Sequence, residues 1–189
     1  MWWPEPRSLE SRFARFALTL ALGGLVAGCF QPLYASRSLT DGSTVADRLR
    51  AVDVSPIKNI TAGTAEARIA AELRNTLIFE LNGGAPAHAP THRLELGMTV
   101  LRQQVIVDVT TSRPDVEQAG INLTYSLVEL ASGRVVVNGQ TFSRVSYDNP
   151  GQEQRFARAR GRRDAEDRAG KVIAQDIRSR LASYFIAGT

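Results

Sequence analysis

Residues 121–147 read INLTYSLVELASGRVVVNGQTFSRVSY, and their periodicity commits the chain to a sheet. Ile121, Leu123, Tyr125 and Leu127 alternate with polar residues, the period-2 pattern of a strand with one face buried. Ala131-Ser132-Gly133-Arg134 interrupts it with turn chemistry, and Val135, Val137, Phe142, Val145 and Tyr147 resume the apolar positions. Two strands joined by so short a break form a long antiparallel hairpin. Upstream, Leu94, Leu96, Met98 and Val100 alternate as a third strand, while Val105, Val107 and Val109 continue on the opposite parity. A one-residue slip moves every side chain to the other face, so a bulge, bend or turn is expected near Arg102 to Gln104. The next strand begins after Arg113-Pro114, and Leu49 to Val54 supplies a short first strand ending at Ser55-Pro56.

Two helices flank these strands. From Thr64 the period becomes 3.6: Ile69, Leu73, Leu77 and Leu81 fall four apart, with Ala70, Ile78 and Phe79 widening the stripe. Thr64 is the expected N-cap, Glu66 suits the first turn, and Asn82-Gly83-Gly84 supplies the stop. After Asn149-Pro150-Gly151 a second helix runs from about Gln152 to Ile186, with Ala165, Ala169, Val172, Ile173, Ile177, Leu181, Tyr184 and Phe185 as its stripe. The expected fold is α+β: a mainly antiparallel sheet of about four strands with two helices packed on one face.

The first 28 residues have a different character. Arg7, Arg12 and Arg15 precede the uncharged run Phe16 to Val26, and the small pair Ala27-Gly28 leads to Cys29. This is the order of a secretory signal. Eleven helical residues rise only about 16 Å against a hydrocarbon core of about 30 Å, too short to span it. Cys29 is the only cysteine among the 189 residues, which excludes an intrachain disulfide. Val26-Ala27-Gly28-Cys29 resembles the lipobox of bacterial lipoproteins, which implies cleavage between Gly28 and Cys29 and acylation, including palmitate, of the Cys29 thiol. No Asp follows Cys29, and by the same resemblance that implies sorting to the outer membrane. Three domains are expected: a signal peptide at 1–28, a lipidated N-terminus and tether at 29–47, and a single α+β domain at 48–187.

Composition narrows the chemistry. Hydrophobic residues are 43% and charged residues 22%, and the mean hydropathy is −0.15, which fits neither a disordered chain nor a polytopic membrane protein. No Gly-rich phosphate loop, G-x-S-x-G elbow or H-E-x-x-H occurs, so no enzyme and no cofactor are expected. His88 and His92 stand four apart, but Pro86 and Pro90 preclude a shared helix face, and no metal site is expected. The Asn122-Leu123-Thr124 sequon falls inside a strand and is discounted. Positive charge concentrates on the last helix: Arg155 to Arg180 holds nine basic and four acidic residues, a net +5, while the rest of the chain from Cys29 balances at −2. Such a run is ordinarily a solvated face; its functional reading is contact with an anion. Nucleic acid is not expected as a partner of an exported chain.

Longer matches are also present. Gly28-Cys29-Phe30-Gln31-Pro32-Leu33-Tyr34 resembles the G-C-G-F-Q-P-L-Y start of the LPS-assembly lipoprotein family LptE, apart from the glycine absent after Cys29. The similarity continues through Arg93-Leu94-Glu95-Leu96, through Tyr125 to Val136, and through Ser146-Tyr147 into a helix ending at Asp176 to Phe185. The resemblance implies an outer-membrane lipoprotein, its domain on the periplasmic side, that plugs an LptD-type β-barrel, assists its assembly and binds lipopolysaccharide in transit. Arg134 at the hairpin tip and Arg102 at the strand reset, with Arg93 and Arg144 behind them, are the candidate lipopolysaccharide or partner contacts. An auxiliary lipoprotein of an envelope lipid ABC-transport system is the alternative.

Overall fold

The computed structural model describes residues 42–84, 87, 89–107, 114–149 and 154–187. The expected signal, Cys29 and the tether as far as residue 41 lie outside them, as do His88, Arg113 and Pro150-Gly151.

Residues 44–47, expected in the tether, are already folded. Thr44 caps helix α1, Val45–Arg50, through a reciprocal box: its hydroxyl accepts from the Asp47 amide at 3.2 Å, and the Asp47 carboxylate accepts from the Thr44 amide at 3.1 Å and hydroxyl at 2.7 Å. These bonds hold the Asp47 carboxyl below its usual range. Val45 and Leu49 are buried, and the first strand contracts to β1, Val52–Val54.

Helix α2, Ala65–Asn82, follows the expected pattern closely. The Thr64 hydroxyl accepts from the Ala67 amide, and Gly83 closes the helix at φ 70°, the left-handed conformation glycine adopts at least cost. Ile69, Ala70, Leu73, Leu77 and Leu81 are buried, whereas Phe79, expected in the stripe, is 65% exposed. The helix is the crossover that parallel neighbours require: β1 pairs in parallel with β2, His92–Val107, from Val52↔His92 to Val54↔Leu94.

Strands β3, Pro114–Glu129, and β4, Val135–Asp148, complete an antiparallel meander in the order β1-β2-β3-β4. Gly133 makes the turn at φ 70°. The expected reset is a slip in pairing between Gln104 and Ile106, just beyond the predicted segment. Arg102 is therefore not at the reset: it sits in regular ladder opposite Ala119. On β4 the apolar letters mislead. Thr141 and Ser143 turn inward and are buried, and Phe142 turns outward at 62% exposure.

Helix α3, Arg155–Ala187, lays Ala165, Ala169, Ile173, Ile177, Leu181 and Phe185 into the core, with Val172 half exposed instead. One core joins Ala169, Ile173, Ile177, Leu181 and Phe185 to α1, α2 and the inward row Ile121, Leu123, Tyr125 and Leu127, while Ala165 packs in a smaller cluster with Ala119 and Tyr147. Burying each leucine contributes about 2–3 kcal/mol relative to exposure. The α+β class is as expected, with three helices rather than two among the described residues. Six residues are too few for α1 to display a helical period.

Candidate functional site

The face of the sheet opposite this core carries no described helix. Its rows are set by register: Gly97, Thr124 and Gln140 stand abreast, then Thr99, Asn122 and Phe142, then Leu101, Gly120 and Arg144. Short uncharged polar groups dominate, and they line a shallow depression of about 410 Å³. A Cβ on Gly97 would lie 2.8 Å from Thr124 Oγ1, so glycine there lets the surface stay low. The Arg144 guanidinium lies 4.9 Å from the centre of the Phe142 ring, a cation–π contact on an otherwise open surface. Lys58 pairs with Glu95 at 3.0 Å near its border.

The four predicted arginines do not converge. Arg93 faces Asp53 at 3.7 Å, and Arg134 is exposed beside the Gly133 turn with no ion pair among the described residues. Arg102 points to the opposite, helix-bearing face and meets Glu66 in the first turn of α2 at 3.4 Å. Arg144 shares the open face with Phe142. Arg93 pairs across from Val128, while Arg102 and Arg144 stand opposite Ala119 and Gly120, so the two groups are separated by about 27 Å of strand.

Two carboxylates that sequence reasoning missed organise the basic start of α3. Glu117 accepts from Tyr147 Oη at 2.5 Å, from Asn149 Nδ2 at 3.1 Å and from Arg158 Nη2 at 2.6 Å. Burial, and then the bond to Glu117, push the Tyr147 phenol up to about 12. Glu166, buried on α3, accepts from Arg68 of α2, with Arg162 Nε 3.9 Å away. Both were detectable in principle: Glu117 has the parity of the inward row of β3, and Glu166 adjoins Ala165 in the apolar stripe. Between the helices Glu72 and Asp167 line a groove of about 320 Å³, where burial and the neighbouring Asp167 raise the Glu72 carboxyl. Among the described residues no group of His, Cys, Asp or Glu could hold a metal ion, and no helix is long and apolar enough to cross a membrane.

This surface architecture can hold a partner or an anion, and the comparisons agree with a non-catalytic role. The fold is similar to a lipoprotein from Caulobacter crescentus CB15, at 20% identity, covering 77% of this chain and 97% of that one, with a TM-score of 0.59. It is also similar to lipoprotein B from Nitrosomonas europaea, at 12% identity, covering 72% and 84%, with a TM-score of 0.52. No curated protein matches the sequence. Residues 49–181 match LptE, lipopolysaccharide-assembly; this span holds all four strands, α2 and most of α3. The chain therefore belongs to the LptE family, assembly proteins of lipopolysaccharide rather than enzymes.

Proposed function

We propose that the chain is an outer-membrane lipoprotein, cleaved between Gly28 and Cys29 and acylated at Cys29, that helps assemble and then plugs an LptD-type β-barrel and binds lipopolysaccharide during its export. The observation that carries this reading is the sheet face that no described helix covers. A lumen wall approaches closely only where side chains are short, and Gly97, Thr99, Asn122, Thr124 and Gln140 offer such a surface with hydrogen-bonding groups that stay satisfied when wet. The helices occupy the other face, so the domain can present its sheet without unpacking its core.

Arg134 is the best placed of the four arginines for a lipid phosphate, because it is exposed, near a tip and without an ion pair among the described residues; Arg93 lies at the same end of the sheet. Arg102 is committed to Glu66 and faces away. The test is depletion of the chain with recovery of the barrel. Loss of mature barrel, loss of surface lipopolysaccharide and co-purification of the two proteins are expected. Intact export with no co-purification would overturn the proposal.

A further inference from the structure

We propose that the start of α3 is a membrane-surface docking patch for anionic phospholipid headgroups, with Phe156 entering the lipid interface and Arg160 and Arg163 on the phosphates. Residues 155–163 read RFARARGRR and contain no carboxylate. Phe156 is 90% exposed. At about 100° per residue, Arg163 and Arg160 fall within roughly 40° of Phe156, while Arg155 shares the stripe of Arg158 and Arg162. Neither Arg160 nor Arg163 has an ion pair among the described residues, whereas Arg168 and Arg180, further along the helix, are tied to Asp164 at 2.9 Å and Asp176 at 3.1 Å.

The inward side of the segment is pinned. Arg158 is held by Glu117, Arg162 lies against Glu166, and Gly161 packs toward Tyr147. Phe156 is therefore fixed pointing out rather than waiting to fold into the core. Exposed aromatic and basic groups on one helical stripe are the composition of an interfacial helix.

The occupant is a lipid surface rather than an acidic protein because this rests on the lipid-anchored reading, and the lengths agree. Phe185 packs against His92 at 5.3 Å, beside the start of β2, and Phe156 is 29 residues earlier on one helix, about 43 Å away. Thr44 follows Cys29 by 15 residues, a reach of at most about 50 Å. The reach of the tether therefore exceeds the length of α3 between Phe156 and Phe185.

The assay is flotation of the chain from residue 29 onward, carrying Cys29→Ser so that no acyl chain contributes, with phosphatidylglycerol–phosphatidylethanolamine vesicles or phosphatidylcholine vesicles. Binding only to the anionic vesicles, weakening with salt, is expected. Arg160→Ala/Arg163→Ala should reduce it about thirtyfold and Phe156→Ala roughly tenfold, while Arg168→Ala/Arg180→Ala, equal in charge lost and on the same helix, leaves it unchanged. Equal binding by all variants, equal binding to phosphatidylcholine, or no binding to either vesicle overturns the patch. A patch variant that instead loses barrel co-purification while floating normally also overturns it. Absence of flotation with barrel co-purification intact would refute the patch alone and leave the proposed function standing.

Discussion

Glu117→Ala should be strongly destabilising. The carboxylate side chain is 13% exposed and is the acceptor for two nearly buried donors, Tyr147 and Asn149. Leaving each without a partner costs about 1–3 kcal/mol. The pair with Arg158, 48% exposed on the arginine side, adds at most about 1 kcal/mol after screening. The expected loss is about 3–5 kcal/mol, and with a urea slope of about 2 kcal/mol per molar the midpoint should fall by roughly 2 M. Glu117→Gln, which keeps one acceptor oxygen, should lose about half as much. Phenolate absorbance supplies a second reading: removal of the carboxylate lets Tyr147 titrate below its present value of about 12, with burial still holding it above 10.0. Because that folded value exceeds the unfolded one, the native phenol's contribution is complete below about pH 10 and is lost as pH rises toward 12. A urea midpoint matching that of Arg50→Ala, or an unmoved Tyr147 titration, would refute the network.

His92 is buried against Phe185, and burial chiefly lowers its pKa from 6.5. The unfolded chain therefore takes up this proton first, and thermal stability should fall as pH drops below about 6.5; His92→Gln should flatten the profile between about pH 7 and 5, and an unchanged slope would contradict this. Gly139→Ala places a Cβ 2.6 Å from the Tyr125 hydroxyl across the strand pair. Overpacking of this kind costs about 1–3 kcal/mol, lowering the melting temperature by about 3–9 °C; a variant melting within a degree of the parent would show that Tyr125 can move aside freely.

Long regular patterns were readable in the sequence because each residue there obeys one dominant force. Ile69, Leu73, Leu77 and Leu81 needed only a 3.6 period to be placed, and the row from Ile121 to Leu127 needed only a 2.0 period. Elements lacking a periodic signature were missed or shifted. Helix α1 depends on a capping box and two apolar residues, and Phe142 is apolar yet faces out because Thr141 and Ser143 occupy the inward positions. The site was less legible than the fold. Spacing along a strand could not reveal that Arg102 and Arg144 point to opposite faces once Arg102 was placed at the reset, or that Glu117 and Glu166 draw distant segments onto the basic helix.

Site-specific photocrosslinking from the open sheet face tests the central claim most directly. A photoreactive residue at Thr124 or Gln140, in the full chain expressed in cells, should form an adduct with the LptD-type barrel, while one at Lys171 on the helix-bearing side should not. Adducts from Lys171 but not from Thr124 or Gln140, or no barrel adduct from any of the three, would contradict the account.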